Sequence, residues 1–410
     1  MATEKLPFYP ADILLPRDCD LTKWSVVACD QYTSQPAYWQ RVADFVGDAP
    51  STLHMILPEA FLQDPDEKIV QLQAAMQAWL DAGHITTLQQ SFVYLERRLS
   101  GGRIRRGLVG MLDLEAYDWT PGTSAPVRAT EHTVPSRIPP RARARRGAPL
   151  ELPHAILLMD DPENLVFGQL QVLREELTPV YDFELMEGGG HLNGWQVTGA
   201  AADAVLQQLA RLQAGSDFLF AVGDGNHSLA TAKAVYEELK AADPGADFLD
   251  HPARYALVEL ENIHDPALTF SPIHRIYTGP DADLLEAELR DLPHLITSAP
   301  VRMVTRSGEE TIWLPPGGNH LAVGALQDFL DGFVRMNGGE VDYIHGDDVL
   351  RELSAAPNTV GFLLPPLEKS GFFAAIQAGG VLPRKTFSMG EACEKRFYLE
   401  SRRIQNAAAH

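Results

Sequence analysis

The chain has 410 residues, 45% hydrophobic and 22% charged, an ordinary globular composition with room for about two to three domains. Lys and Arg number 34 against 55 Asp and Glu, leaving a formal net charge of −21. A surface of that sign repels phosphate backbones and anionic lipid, which argues against broad binding to nucleic acid or membrane but not against one local anion site.

In chain order, Ser25-Val-Val-Ala-Cys29 reads as a short buried strand that stops at Asp30. Residues Asp66 to Leu80 put Ile69, Leu72, Met76 and Leu80 on one helical face, with Asp64 and Asp66 at the start. Ser91–Leu99 and Arg103–Leu114 flank Ser100-Gly-Gly102 as a hairpin. Val134 to Pro153 has turn chemistry, little periodicity and a crowd of cations: Arg137, Arg141, Arg143, Arg145 and Arg146. Strand and helix then alternate: Ala155–Met159 a strand, Val166–Leu177 a helix, Pro179–Leu185 and Trp195–Thr198 around a glycine turn, Ala200–Leu212 a helix. Asp217–Val222 reads as a strand, Leu229–Lys240 as a helix and Tyr255–Glu261 as a strand. The last third predicts helices near Asp281–Arg290, Gly324–Met336 and Lys369–Gln377, a hairpin over Val301–Leu314 and a strand at Thr359–Leu364. Such interleaving indicates a mixed α/β (α+β) layered fold, without the period of a solenoid or propeller. The expected organisation is a mixed region over 1–125, a core with a phosphate-binding turn over 126–279 and a C-terminal α/β region over 280–410. Gly279-Pro280 and Pro315-Pro-Gly-Gly-Asn319 are the best boundary candidates, and no tether separates the domains.

The strongest local chemistry lies where Phe218-Leu-Phe-Ala-Val222 runs into Gly223-Asp-Gly-Asn-His-Ser228 and then a helix. Gly223 and Gly225 let the backbone approach a ligand, and the amides of a helix's first turn attract anions. Asp224, Asn226, His227 and Ser228 gather a carboxylate, an amide, an imidazole and a hydroxyl on one turn. A carboxylate there can hold Mg²⁺ or take a proton from an attacking hydroxyl. The plainer alternative is that Asn226 or Ser228 caps the helix and Asp224 stabilises the turn. The sequence is neither a Walker A loop nor a dinucleotide fingerprint.

Asp30-Gln-Tyr-Thr-Ser34 places a carboxylate at a strand's C-terminal end, where open α/β sheets bind ligands, or caps a helix near Pro36. Arg128-Ala-Thr-Glu-His-Thr133 reads as an exposed strand, with a site-lining role for Arg128 and Glu131 as the alternative. Pro272-Ile-His-Arg275 follows a strand and pairs His274 with a guanidinium suited to phosphate. Pro383-Arg-Lys-Thr-Phe387 adds Arg384 and Lys385. His132, His154 and His345 are singletons that read as structural histidines, and no zinc spacing or serine-hydrolase elbow occurs. Cys19, Cys29 and Cys393 give no disulfide framework and read as reduced thiols. The N-terminus lacks the basic and apolar run of a signal peptide, and no apolar stretch approaches the ~18 residues of a membrane span. A soluble, cytoplasmic protein is the expectation.

Taken in order, Asp30-Gln-Tyr, Arg128…Glu131…Thr133, Gly223-Asp-Gly-Asn-His227, Pro272-Ile-His-Arg275, Val341-Asp-Tyr-Ile-His-Gly346 and Leu382-Pro-Arg-Lys-Thr386 resemble the domain-of-unknown-function family numbered ten-fifteen. The family's turn reads Asp-Gly-His-His-Arg, so Asn226 and Ser228 mark a divergent branch, in which Arg275 or the Arg137–Arg146 cluster could replace the turn arginine. The Asp-Gly-x-His turn is also similar to one in the ParB/sulfiredoxin-like fold, which includes free-serine kinases. The resemblance implies a ParB/sulfiredoxin-like core and a small-molecule phosphotransferase making O-phosphoserine from L-serine, with ATP, ADP or pyrophosphate as donor. It implies Asp30 as general base, Asp224 as Mg²⁺ ligand or second acid, His227 and the turn amides on donor phosphate, and Arg275 and Lys385 on the transferring charge. The alternatives are a non-catalytic, nucleotide-responsive ParB-like module and a metal-assisted phosphate-ester hydrolase using Asp224, His227 and Arg275.

Overall fold

Alternating side chains of Ile85–Arg98 bury on opposite faces: Phe92 and Tyr94 in one core, Val93 and Leu95 in another. That period of two places this strand, and the Ile104–Asp113 strand hairpinned to it, between two layers. The computed structural model describes residues 5–33, 35–61, 66–152, 155–315, 321–383 and 385–406, without the side chains of Asp30 and Glu59. Asp64, His154, Arg384, Ser34 and most of the 315–319 boundary turn lie outside the described residues.

Among the described residues, an 11-stranded sheet forms the centre. Nine strands run in the order Thr178–Leu185, Gly190–Val197, Ile85–Arg98, Ile104–Asp113, Tyr255–Asn262, Ile156–Met159, Phe220–Asp224, Val127–Ala129, Tyr117–Asp118, while Phe8–Tyr9 pairs with Ile104–Asp113 and Ala11–Pro16 with Ile85–Arg98, so the sheet takes strands from both sides of position 125. The sheet is mixed: Phe220–Asp224 pairs antiparallel with Ile156–Met159 and parallel with Val127–Ala129. On one face pack the helices Leu165–Leu173, Gly199–Gly215 and Asn226–Ala242, through Phe167, Leu170, Val205, Leu209, Leu229 and Tyr236. On the other lie Pro36–Val46 and Asp66–Ala82, the latter burying the anticipated Ile69, Leu72, Met76 and Leu80. A second, 6-stranded antiparallel sheet is built on Phe270–Thr278, with Ala282–Arg290 and Ala322–Asn337 packed against it. The two sheets join through Ile156, Leu158 and Ala221 on one side and Phe270, Phe372, Phe387 and Met389 on the other.

The mixed α/β class read from the pattern is therefore the observed one. Three local readings change. Pro272-Ile-His-Arg275 lies inside the Phe270–Thr278 strand, because Pro272 pairs with Phe387 where Phe387–Met389 joins this sheet. The arginine stretch holds a helix, Ile138–Arg145, with prolines in its first turn and Ala142 buried, too short for a periodicity to register. The third change falls at the site: the helix read as starting at Leu229 begins at Asn226, three residues before the apolar pattern does. No described helix is long and apolar enough to cross a membrane.

Candidate functional site

The Phe220–Asp224 strand ends in a bulge. Val222 faces Leu157 and Asp224 faces the adjacent Ile156, so Gly223 is the extra residue. A Cβ at Gly223 would stand 2.8 Å from Leu158 Cγ and 2.9 Å from Met389 Sδ, so only glycine fits. Gly225 follows at φ 83°, a left-handed conformation that turns the chain into the helix. This strand–bulge–turn aims the start of the Asn226–Ala242 helix into a cavity of about 350 Å³. Its walls include the whole Gly223–Ser228 turn, Gln31, Glu131, His132, Arg137, Tyr343, His345, Lys385, Ser388 and Lys395.

Asn226, His227 and Asp224 each make a defined hydrogen bond. Asn226 clasps Thr130: its Oδ1 accepts from Thr130 N at 3.1 Å and its Nδ2 donates to Thr130 Oγ1 at 3.1 Å. Thr130 Oγ1 in turn donates to Val222 O at 2.6 Å, so the strand end and helix start are locked together. The amide of Val134 donates to His227 Nε2 at 3.2 Å. A ring nitrogen that accepts carries no proton, so the neutral imidazole holds its proton on Nδ1. Asp224 Oδ1 accepts from Gly225 N at 2.9 Å, whereas its buried Oδ2 has no hydrogen-bond partner among the described residues. The first amides of any helix lack intrahelical partners, so Asn226, His227 and Ser228 bring an electropositive helix end to the cavity wall.

The other anticipated residues separate into two groups. Glu131 lines the cavity, and its Oε1 accepts from the backbone of Lys385 at 3.1 Å, holding Lys385 at φ 53° beside it. Asp30 begins the short Asp30–Tyr32 helical turn; its side chain lies outside the description, and the next residue, Gln31, lines the cavity. Arg128, His274 and Arg275 are not on the wall. Arg128 stacks 4.4 Å from the Phe218 ring centroid and donates to Ala125 O, on a strand whose Val127 and Ala129 are buried inside the sheet. Burial lowers the Arg128 pKa. His274 is fully engaged: Leu364 N donates to its Nδ1 at 3.1 Å, and Nε2 meets Asp347 Oδ1 at 3.0 Å. Burial lowers its pKa, with Asp347 pulling the other way. Arg275 is buried beneath the site, bonded to Gln327 Oε1 at 2.8 Å, Ile273 O at 2.7 Å and Lys385 O at 3.1 Å, with Tyr343 4.5 Å away. It steadies cavity-lining residues from behind.

The arginine cluster disperses. Arg143 pairs with Asp66, Arg145 with Glu151 and Arg146 with Glu238, and Arg141 Nη1 donates to Arg137 O at 2.8 Å away from this wall, leaving Arg137 as the member on this cavity. His132 and His345, read as structural singletons, both line it. Lys395 carried no sequence signal at all. It is 7% exposed, lines the cavity, and makes no ion pair among the described residues. Among those residues, no group of three or more His, Cys, Asp or Glu side chains is arranged to hold a metal by itself.

The family model described as "Protein of unknown function (DUF1015)" matches residues 12–323. The chain belongs to that family. Among solved structures it is similar to a free serine kinase in complex with AMP, at 11% identity over 72% of this chain and 91% of that chain, with a TM-score of 0.39. A conserved hypothetical protein from Pyrococcus furiosus is similar at 11% identity over 72% of this chain and 94% of that one, TM-score 0.35. SbnI with a C-terminal truncation, from Staphylococcus aureus, is similar at 16% identity over 61% and 83%, TM-score 0.27. No curated protein matches the sequence.

Proposed function

We propose that this family member is a small-molecule phosphotransferase that binds a nucleotide or pyrophosphate at the head of the Asn226–Ala242 helix and phosphorylates the hydroxyl of L-serine. The observation that carries this reading is the pairing, on one cavity wall, of a helix N-terminus with a buried carboxylate oxygen, Asp224 Oδ2, that has no partner among the described residues. The first favours phosphate oxygens, and the second favours a cation or a proton donor that accompanies them. The cavity volume of about 350 Å³ falls in the usual range for small-molecule sites, about 300–1,000 Å³. L-serine is the acceptor implied by the resemblance of the Asp-Gly-x-His turn to that of free-serine kinases.

In this reading Asp30 accepts the serine hydroxyl proton. A new bond forms between the serine Oγ and the terminal phosphorus of the donor. The bond from that phosphorus to its bridging oxygen breaks, and the remainder of the donor leaves with the electron pair. The helix-head amides and Lys385 hold donor oxygens, and His227, with its proton on Nδ1, serves as a hydrogen-bond donor. A carboxylate with one oxygen that has no hydrogen-bond partner among the described residues fits Mg²⁺, which commonly takes one or two protein carboxylates plus substrate phosphates. Asp224 would hold it, and when bound it neutralises charge on the transferring group.

The test is direct. The protein incubated with L-serine, Mg²⁺ and ATP, ADP or pyrophosphate should yield phosphoserine by mass spectrometry with at least one donor. Asp224→Asn should lower the rate about 100-fold or more, the scale of losing one electrostatic contact to a transition state. Absence of product with every donor, or undiminished activity in the variant, overturns the reading.

A further inference from the structure

The family model ends at residue 323, yet part of the cavity wall comes from residues 385–395. This C-terminal segment crosses both sheets. Leu382 N donates to Thr130 O at 2.7 Å, Phe387–Met389 adds to the second sheet, and Phe397–Tyr398 pairs with Val26–Val27. Continuing that last antiparallel register places Lys395 abreast of Cys29, next to the Asp30–Tyr32 turn.

Lys395 is the unexplained charge of this segment. Lysine is almost never this deeply buried unless it is paired, because taking an ammonium out of water without a counter-charge is costly. Here the residue is 7% exposed, its side chain lines the cavity, and that side chain has neither ion pair nor hydrogen bond among the described residues. Its neighbours on the segment are committed: Glu394 binds Arg103, and Arg396 binds Glu259 and Glu400. The backbone that carries it is also fixed. Arg97, fully buried, donates to the carbonyls of Cys393, Glu394 and Lys395 and, through Nε, to Gly189 O. A capping box closes between Glu391 and Glu394 one turn earlier. An ammonium held on such a backbone is pre-organised for an anion, since little freedom remains to be lost on binding.

We propose that Lys395 is a binding residue for an oxyanion of the cavity's ligand, a carboxylate or a phosphate, delivered to the site by the C-terminal segment. The inference rests on the phosphotransfer reading for its choice of candidate ligands. It implies a ligand with an anionic group at the Lys395–Gln31 edge, in addition to whatever the helix head holds. An acceptor carboxylate and a donor phosphate are the two sources of that chemistry.

Calorimetric titration of the whole chain separates them. Inorganic pyrophosphate offers phosphate alone, and L-serine offers a carboxylate alone. Lys395→Met should weaken at least one of the two by about tenfold or more, and Lys395→Arg, which keeps the charge, should recover most of it. Loss confined to L-serine assigns the carboxylate; loss confined to pyrophosphate assigns the phosphate. The carbonyl gripped by Arg97 survives either substitution, so melting should be unchanged, and Lys395→Gln takes the comparison should the Met variant melt early. Equal binding of both ligands by wild type and charge-removing variants overturns the inference, and it stands apart from the phosphotransfer reading if phosphoserine still forms. Lys395-dependent binding without any turnover has the opposite meaning: it supports the inference and counts against phosphotransfer. If wild type binds neither ligand, both fall.

Discussion

Asn226 shows how much of the site depends on one side chain. It uses both ends of its amide on Thr130. Thr130 is 1% exposed, so its amide has no water to fall back on. Replacing Asn226 by Ala leaves that buried amide without its acceptor, which typically costs about 1–3 kcal/mol. Urea unfolding of Asn226→Ala should show a loss of that size, and the turn should hold its ligand less well. A variant as stable as wild type would mean that the clasp is dispensable. At this scale the sequence was informative about residue type and silent about partners. Gly223 and Gly225 were legible as glycines that a turn requires, and the structure supplies the reasons: a bulge against Leu158 and Met389, and a φ of 83°. That Asn226 serves Thr130 was not legible, because 96 residues separate them.

Among the elements, the segment after residue 380 has the largest consequences for its length. It contributes only short strands, Phe387–Met389, Phe397–Tyr398 and Arg402–Arg403, yet each pairs with a different part of the protein. Arg97 is its anchor. Burial, together with the neighbouring Arg105, lowers the Arg97 pKa to about 9, still above neutral pH, so the guanidinium remains charged while it donates to four carbonyls. Arg97→Met would take this donor from the carbonyls of Gly189, Cys393 and Lys395, while Glu394 O would keep its bond from Arg105 Nη1 at 2.7 Å. Each unsatisfied buried group costs about 1–3 kcal/mol, so a loss of at least about 3 kcal/mol is expected in chemical denaturation. Lys395 would lose its fixed backbone in the same variant, so proteolysis should cut first within residues 391–396. A variant that keeps both stability and protease resistance would remove Arg97 from this role. None of this was visible in the chain order, where Arg97 is one charge at the end of an amphipathic strand.

For the whole molecule, a buried charge cluster joins the C-terminal segment to the central strand Tyr255–Asn262. Arg105 Nε lies 3.1 Å from Glu261, Arg396 Nε 3.3 Å from Glu259, and Arg396 Nη2 2.9 Å from Glu400, all within the core. Gly107 makes room for it: a Cβ there would meet Glu259 Oε1 at 2.2 Å. Burial, reinforced by Glu259 and Asp265 and opposed by Arg105, pushes the Glu261 carboxyl up to about 8. In the unfolded chain it returns to the ordinary 4.5, so between those values the folded protein holds a proton that the unfolded one gives up. The stabilisation is complete below about 4.5 and is lost as pH rises through about 8. Melting temperature should therefore decline from about pH 5 to pH 8.5 by more in wild type than in Glu261→Gln, which mimics the protonated acid at every pH. Parallel curves would show that Glu261 does not govern this slope. The sequence by itself determined the layered α/β class, the strand–turn–helix at Gly223–Ser228 and the family, because these follow from periodicity, glycine and motif order over short spans. Tertiary structure decided which charges matter. Of the cations that crowd together in sequence, only Arg137 reaches the cavity, while Arg275 is sealed beneath it and Lys395 arrives from the far end of the chain. The physical reason is that a charge acts through its distance and its burial, and both are fixed by contacts between residues hundreds of positions apart.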